Sequence, residues 1–227
     1  FYFDDHLSNP KRFMQLWVWQ QAQHTCKGII TLSEHLSSCL NAEKILTVKH
    51  PTIDPKGKMW SMPKDITVAQ VGWSFRNTYF WNTVKFPPSW KREWYPNNID
   101  ISTRIYNSIR KQMYMNVREQ PVRIIRERLS KDAYYATLCS RVLFANYFDL
   151  SASNLIMEAI AFCVPILLNR HKAAEEYLGK EYPLYYTDTV PDELFEPSML
   201  MKAHEYLKAL RLKDTFHDDM HKFLRSL

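Results

Sequence analysis

The chain has 227 residues, which is enough for one large domain or for one domain and part of another. Hydrophobic residues make up 46% of it and glycine only 4 positions, so the composition excludes a disordered, collagen-like or low-complexity protein. The formal net charge of +6 is modest and by itself indicates no particular partner.

The first fifty residues alternate helical and strand patterns. Residues 10–24 have apolar side chains at helical spacing, and residues 8–10 suit a cap and a first turn. Residues 29–32 form a β-prone run, Ser33 precedes a short helical segment at 34–40, and a second β-prone run covers residues 45–48. A polar stretch with Pro and Gly, residues 51–64, then interrupts this order and predicts a domain boundary.

The alternation continues more regularly in the rest of the chain. Residues 66–71 predict a strand that runs into Gly72, whereas three prolines leave residues 81–101 ambiguous between helix and loop. Short apolar strands flanked by helices are typical of a parallel sheet that is covered on both faces, so we expect an α/β fold. Strands are predicted at 122–125, 142–145 and 164–168, and helices at 131–139, from Ser151 or Ser153 to Phe162, at 173–178 and twice within 198–227.

Charged and apolar stretches bear on the partners and the location of the protein. Residues 104–131 carry eight basic and two acidic side chains, a pattern that suits nucleic acid, an acidic membrane surface or a solvated basic face. We expect the solvated face, because no RNA or DNA motif accompanies the segment. The longest uncharged apolar stretch, residues 159–168, is far shorter than the roughly 20 residues of a membrane-spanning helix. From these observations we expect no membrane span and no nucleic-acid partner. Because the four cysteines are scattered, we also expect a reducing, cytoplasmic setting and no disulfide scaffold.

The strongest chemical signal is a strand that ends in a small polar turn and continues as a helix, at residues 142–162. The turn and the start of the helix contain Ser151, Ser153 and Asn154. Free backbone N–H groups and the positive end of the helix dipole favour an anion such as phosphate at that point. Glu158 follows about one turn later, where its carboxylate could accept hydrogen bonds from sugar hydroxyls.

These residues resemble the donor domain of GT-B glycosyltransferases, especially the large retaining group. The signature of that group ends in Glu-Ala, a few small residues, then Pro and a hydrophobic strand, and Glu158-Ala159 and Val164-Pro165 match this ending. The resemblance implies that Glu158 holds the nucleotide ribose and that the preceding helix start holds the diphosphate. The family usually has a second Glu eight positions earlier, where this chain has Leu150, so the adjacent Asp149 is the approximate replacement and a candidate catalytic residue. Cys163 and Val164 stand where the family usually has Gly before the Pro.

The resemblance extends in both directions along the chain. Residues 29–34 look like the last strand and helix of the family's acceptor domain, and Val71-Gly72 followed by Arg76 looks like the opening loop of the donor domain. This similarity implies that Gly72 and Arg76 contact the donor and that Arg76, a guanidinium suited to bidentate phosphate contacts, acts on the diphosphate. Lys85 and Lys91 are weaker candidates for the family's second basic residue. The overall likeness is to glycosyltransferase-like proteins of large DNA viruses.

The resemblance also implies a domain organisation: the end of the acceptor domain at 1–55, a linker at 56–65, the donor-binding domain at 66–195 and C-terminal helices at 196–227. The expected fold is therefore a Rossmann-like parallel sheet with a partial second Rossmann-like unit. Two full Rossmann domains usually need more than 227 residues and the chain begins at Phe1, so we expect a fragment of a longer polypeptide.

The implied activity is transfer of a hexosyl or pentosyl group from a nucleoside-diphosphate sugar to a glycan or another hydroxyl acceptor. No Asp-x-Asp motif is present, so we expect no metal site and no cofactor other than the sugar donor. Two alternatives remain open: a non-catalytic Rossmann-like module that binds a nucleotide or partner protein, and a nucleic-acid-binding protein that uses residues 104–131. Ser151, Ser153 and Asn154 could also be helix caps only, and Arg76 could pair with a surface carboxylate.

Overall fold

The computed structural model describes residues 25, 27–38, 40, 44–51, 53–72, 76–96, 122–148, 150, 152–210 and 216–225. The chain divides into two compact units, Phe1–Pro51 with Asp214–Leu227, and Thr52–Lys213. The helix predicted at residues 10–24 lies outside the described residues. The assignment of the units to acceptor and donor domains stays a prediction.

The smaller unit contains a parallel pair of short strands, β1 (Ile29–Thr31) and β2 (Ile45–Thr47), joined through helix α1 (Glu34–Ser38). Ser33 caps this helix as predicted, because its hydroxyl accepts a hydrogen bond from the Leu36 N–H at 3.2 Å. The hydroxyl of Thr31 lies 2.6 Å from that of Ser37 and 3.1 Å from that of Thr47, so a hydroxyl cluster joins both strands to the helix.

The larger unit is built on a parallel sheet, which confirms the predicted fold class. Six strands form it within the described part of the chain: β3 (Thr67–Val71), β4 (Lys91–Tyr95), β5 (Val122–Ile124), β6 (Val142–Ala145), β7 (Ile166–Asn169) and β8 (Tyr185–Tyr186). Their order in the sheet is β5-β4-β3-β6-β7-β8, and every neighbouring pair is parallel. This is the strand order of a doubly wound Rossmann fold.

Helices follow the strands, as expected when parallel strands are joined by crossovers. The larger unit contains α2 (Thr78–Thr83), α3 (Lys131–Leu138), α4 (Asn154–Phe162), α5 (Lys172–Leu178), a 3-10 turn (Asp192–Phe195) and α6 (Pro197–Ala209), and the smaller unit ends in α7 (Phe216–Arg225). Ser130 caps α3 as predicted, accepting from the Ala133 N–H at 3.3 Å. In the described part of the chain, every helix is too short or too polar to cross a membrane.

The core follows the apolar runs of the sequence. All four residues of β6 are buried, and six of the nine residues of α4 are buried beside the sheet. Phe144 of β6 packs against Trp81 of α2, with ring centroids 5.2 Å apart, and against Phe86 at 5.4 Å. Burial on both faces explains why the central strands read as continuous apolar runs.

Strand β4 lies in the region that the sequence left ambiguous. Its first three residues are charged, yet Arg92 and Glu93 are buried. Arg92 donates a hydrogen bond to the Trp81 carbonyl and lies 4.7 Å above the Trp81 ring. Glu93 accepts from Arg141 Nε at 2.8 Å and from the Tyr95 hydroxyl at 2.6 Å. These partners offset the cost of burying two charges, which is why a charged sequence occupies an inner strand.

Helix α4 ends at a residue with a left-handed backbone conformation. Cys163 has φ 54° and ψ 37°, and it stands where the resemblance leads one to expect glycine. The Cys163 N–H bonds to the Ile160 carbonyl at 3.2 Å and the Val164 N–H to the Ala159 carbonyl at 2.8 Å. The chain thus keeps the backbone geometry of a glycine C-cap despite the steric cost of a side chain.

Candidate functional site

The strand order of the larger unit reverses at one point, and we call the region outside the carboxyl ends of the strands there the crevice. The chain leaves β3 for β4 and β5 on one side, and β6, β7 and β8 lie on the other side. In open parallel sheets of this kind, ligands bind outside the carboxyl ends of the strands where the order reverses, here between β3 and β6. Gly72 and Arg76 follow β3, and Asn146 and Tyr147 follow β6.

Gly72 lies directly at the end of β3 with φ +75°, a conformation that favours glycine. Its N–H donates to the Tyr95 carbonyl at 2.8 Å, and its carbonyl accepts from Trp94 Nε1 at 2.9 Å. A Cβ atom at this position would lie 2.9 Å from Nη1 of Arg76. The backbone conformation therefore favours glycine, and a side chain here would also make the Arg76 guanidinium move.

Arg76 joins the loop after β3 to the segment after β6. Its backbone forms an isolated antiparallel bridge with Tyr147, and its Cζ lies 5.0 Å from the centre of the Tyr147 ring. Nη2 donates to the Tyr147 hydroxyl at 3.3 Å. The guanidinium is thus held between Gly72 and an aromatic ring, where a cation–π contact adds to the hydrogen bond.

Tyr147 is in turn fixed by β7. The side-chain amide of Asn169 accepts from the Tyr147 N–H at 2.7 Å and donates to the Tyr147 carbonyl at 2.9 Å. The Tyr147 hydroxyl also lies 2.7 Å from the Ser153 hydroxyl, and both groups are buried. One tyrosine therefore links the predicted residues Arg76 and Ser153, although the sequence did not single it out.

Ser153, one of the two serines predicted to precede α4, occupies its N-cap position with φ −142° and ψ 120°. Its side chain makes no capping hydrogen bond to the helix, because its hydroxyl is engaged by Tyr147. Asn154 is the first residue of α4 and its side chain is exposed. Ser151 and Asp149, the other two predicted residues of this turn, lie outside the described residues.

Glu158 lies one turn inside α4 and faces α3. The Tyr134 hydroxyl donates to Glu158 Oε2 at 2.7 Å. Burial raises the pKa of Glu158 above its ordinary value, while the hydrogen bond from Tyr134 and the charge of Arg76 act to lower that pKa. Burial and the Glu158 charge raise the pKa of Tyr134, so that hydroxyl keeps its proton and donates.

The structure therefore places Arg76, Ser153 and Glu158 near one another in the larger unit, with Tyr147 linking the first two. Arg76 is close enough for its charge to influence the pKa of both Glu158 and Tyr134. Its guanidinium contacts Tyr147 and approaches Gly72 inside the larger unit.

Three further positions named in the sequence analysis lie outside this group of residues: the two lysines proposed as a second basic donor residue, and Leu150. Lys91 begins β4 at the opposite, amino edge of the sheet, where it lies 3.7 Å from Asp65, and the exposed Lys85 precedes it in the same connection. Neither lysine is at the crevice, so the prediction of a second basic donor residue among them is wrong. Leu150, which occupies the position of the family's second Glu, is 6% exposed and belongs to the hydrophobic core.

Half of the eight basic side chains of residues 104–131 lie outside the described residues, namely Arg104, Arg110, Lys111 and Arg118. Arg123 on the edge strand β5 is exposed and lies 3.6 Å from the buried Glu93.

Across the described residues, no three His, Cys, Asp or Glu side chains are grouped to hold a metal ion.

Comparison with known proteins gives no match to any protein-family profile and none to a curated protein sequence. Several solved structures are similar in fold. Sucrose-phosphate synthase from Thermosynechococcus elongatus has a TM-score of 0.67 at 12% identity over 94% of this chain and 61% of its own. The HepE protein of Anabaena, solved with UDP and glucose, has a TM-score of 0.63 at 13% identity over 91% of this chain and 65% of its own.

A third similar structure is a mutant of TarM from S. aureus in complex with fondaparinux, α-GlcNAc-glycerol and UDP. It has a TM-score of 0.59 at 12% identity over 90% of this chain and 44% of its own. The present chain thus spans less than two thirds of the length of each of these proteins. The likeness shows that the chain has the α/β, Rossmann-like fold of GT-B glycosyltransferases.

Proposed function

We propose that this chain is the donor-binding part of a glycosyltransferase that moves a hexosyl or pentosyl group from a nucleoside-diphosphate sugar to a glycan or another hydroxyl acceptor. The observation that carries the proposal is the meeting of Arg76, Tyr147, Ser153, Tyr134 and Glu158 where the carboxyl ends of β3 and β6 adjoin. A guanidinium beside a helix N-terminus suits a diphosphate, and a nearby carboxylate suits sugar hydroxyls.

In this proposal the donor lies across the crevice. Arg76 and the first N–H groups of α4 hold the diphosphate, with Gly72 allowing the close approach of the guanidinium and Ser151, Ser153 and Asn154 forming the turn around it. Glu158 holds the ribose. Asp149 takes the catalytic role that the resemblance gives to the family's second Glu, beside the buried Leu150.

The chemistry follows from the charge that develops on the leaving group. As the glycosidic bond breaks, negative charge grows on the diphosphate, and a fixed cation stabilises that state more than the ground state. We propose that Arg76 and the helix dipole of α4 supply this stabilisation without a metal ion. Retention of anomeric configuration, a cytoplasmic location and the absence of a nucleic-acid partner belong to the same proposal.

A second candidate is a non-catalytic module that binds a nucleotide. The observation that favours it is Leu150, an apolar core residue at the position where the family has a carboxylate. In that case the crevice would bind nucleoside diphosphates and leave the sugar–phosphate bond intact.

The test begins with binding by the purified full-length protein. Isothermal titration against UDP-, GDP- and ADP-glucose, with and without EDTA, should find one donor that binds with the chelator present, and Arg76→Ala should weaken it. The preferred donor is then incubated with the protein, with and without glycan acceptors, and nucleotide release is measured. Release or transfer supports the enzyme, binding without turnover supports the module, and no binding of any nucleotide contradicts both.

A further inference from the structure

The hydrogen bond between Tyr134 and Glu158 joins two helices at the crevice. Tyr134 lies near the start of α3 and Glu158 near the start of α4, and both helices begin at the carboxyl edge of the parallel sheet. Both side chains are half-buried, so each retains access to solvent. The donor–acceptor distance of 2.7 Å is that of a strong hydrogen bond from a hydroxyl to a carboxylate.

This bond fixes which atoms of the pair remain as acceptors. The Tyr134 proton is directed to Glu158 Oε2, so the phenolic oxygen keeps its lone pairs for another donor. Glu158 Oε1 accepts no hydrogen bond from the described residues. The pair thus offers two neighbouring acceptors on separate side chains, the Tyr134 oxygen and Glu158 Oε1.

Two adjacent acceptors match two adjacent hydroxyl donors. A ribose carries hydroxyls on neighbouring carbons, at its 2′ and 3′ positions, whereas a 2′-deoxyribose carries only one of them. A site built to accept hydrogen bonds from a substrate hydroxyl rejects the analogue that lacks it, because a half-buried polar group is then left unpaired.

Resting on the proposed donor site, we propose that Tyr134 and Glu158 together bind the vicinal hydroxyls of the ribose, one hydroxyl each, and that Tyr134 thereby selects ribonucleotides over 2′-deoxyribonucleotides. Tyr134 has two functions here. It accepts from the ribose directly, and it orients the carboxylate of Glu158 for the second hydroxyl.

The proposal predicts a pH dependence of ribonucleotide binding. The ionised Glu158 carboxylate accepts a stronger hydrogen bond than the protonated acid does, and burial has raised the Glu158 pKa. In the described part of the structure, Tyr134 from α3 and Arg76 from the loop after β3 are the groups that lower that pKa. Loss of the Tyr134 hydroxyl should therefore raise the Glu158 pKa further and move the acid limit of binding to higher pH.

The experiment uses the full-length protein and measures affinity for UDP, CDP, ADP and GDP, each paired with its 2′-deoxy counterpart, and for inorganic pyrophosphate. The wild type should bind the preferred ribonucleotide about tenfold more tightly than its deoxy form, the scale of one hydrogen bond shared with a charged pair. Tyr134→Phe should remove most of this preference and leave pyrophosphate affinity unchanged. It should also shift the acid limit of ribonucleotide binding to higher pH.

Tyr135→Phe is the matched control. Tyr135 is the next residue of α3, and its ring packs against Phe162, with centroids 4.6 Å apart. The same loss of a hydroxyl there should leave both the ribose preference and the pH profile as in the wild type. If Tyr134→Phe does not fold, two measurements on the wild type still test the pair of Tyr134 and Glu158. They are the affinity ratio of the ribonucleotide to its deoxy form and the pH below which ribonucleotide binding is lost.

The outcomes separate the two proposals. If neither nucleotides nor pyrophosphate bind, the donor site itself is wrong and this inference falls with it. If ribonucleotides bind but the deoxy forms bind equally well, or Tyr134→Phe keeps the full preference, the ribose assignment is overturned and the donor site stands.

Discussion

The two ends of α4 are built in opposite ways. At the C-terminal end, the Trp60 N–H donates to the Phe162 carbonyl at 2.8 Å, and His204 Nδ1 lies 2.7 Å from the Cys163 carbonyl. Backbone N–H groups of Cys163 and Val164 bond back into the helix. At the N-terminal end, the serine at the cap position makes no side-chain bond to the helix, since its hydroxyl is engaged by Tyr147.

The difference suits the two ends to separate functions. A helix end whose orphan groups are satisfied by the protein serves stability, because unsatisfied buried groups are costly. A helix end that keeps its N–H groups beside a fixed guanidinium is suited to a ligand. Substitutions at the closed end should therefore change the free energy of unfolding, and substitutions at the open end should change binding and turnover.

The largest expected effect is at the closed end. Trp60 is 2% exposed, packs against His204 with ring centroids 5.0 Å apart, and donates from Nε1 to the Arg141 carbonyl at 2.8 Å. Trp60→Ala should lower the free energy of unfolding by about 3–5 kcal/mol, the usual cost of truncating a buried tryptophan. Chemical denaturation measures it, and Met59→Ala, at a neighbouring position that is 51% exposed, should cost far less. If the two variants lost the same free energy of unfolding, Trp60 would not stabilise the C-terminal end of α4.

The next effect is at the open end. Arg76→Ala should lower kcat by roughly 100-fold, in the range found when a charge-stabilising donor is lost, because the diphosphate charge grows in the transition state. Steady-state kinetics with the preferred donor measures the change. Arg123→Ala removes an exposed arginine from the edge strand and should leave kcat unaltered. An unchanged kcat in Arg76→Ala would exclude Arg76 from the chemistry.

A smaller effect is expected at Glu158, with opposite signs for binding and stability. Glu158→Gln should raise the donor KM about tenfold with little change in kcat, since the ribose does not change during reaction and a hydrogen bond to a charged acceptor is lost.

The stability change follows from the raised pKa of Glu158. The folded state binds the proton more tightly than the unfolded state, so stability falls as pH rises from the unfolded to the folded pKa. At neutral pH the ionised carboxylate is therefore a cost, and Glu158→Gln should raise the melting temperature there. The gain should vanish when the melt is repeated below both pKa values. A lower melting temperature at neutral pH would show that the ionised carboxylate is needed for folding.

The smallest effect compares two variants at Cys163. Cys163→Gly and Cys163→Ala both remove the thiol, but only glycine adopts φ 54° without steric cost. The glycine variant should be more stable than the alanine variant by about 1 kcal/mol. Denaturant melts of the pair measure it, and the reverse order would mean that Cys163 leaves the left-handed conformation in solution.

Much of the fold was predictable because the buried strands β6 and β7 are continuous apolar runs, which are typical of a covered parallel sheet. Strand β4 was not predictable from its pattern. Its residues Lys91, Arg92 and Glu93 read as exposed. Lys91 is exposed, whereas Arg92 and Glu93 fit an inner strand through Trp81 and Arg141, which come from elsewhere in the chain. Strand β8 has two residues, too few for any periodicity.

The sequence predicted only those residues of the candidate site whose type and position next to a single strand or helix indicate a function. Gly72 ends a strand, Ser153 precedes a helix, and Arg76 and Glu158 are charges beside these elements. Tyr147, Asn169 and Tyr134 were missed because their contribution is a partner on another strand or helix, which no local spacing reveals. The position of Tyr147 two residues after the buried strand β6 was the one available hint.

The pairing of β3 with β6 has a kinetic consequence. Val68 of β3 pairs with Val142 of β6, so these two strands meet only when the long intervening chain, which includes β4 and β5, brings their ends together. Non-local parallel pairing of this kind slows folding and ties the crevice to the cooperative folding of the sheet. A nucleotide that binds the crevice and not the unfolded chain therefore stabilises the larger unit as a whole, by about 2.7 kcal/mol at a concentration 100 times its Kd. A variant of the sheet that is partly unfolded should therefore regain folded protein when such a nucleotide is added at saturating concentration.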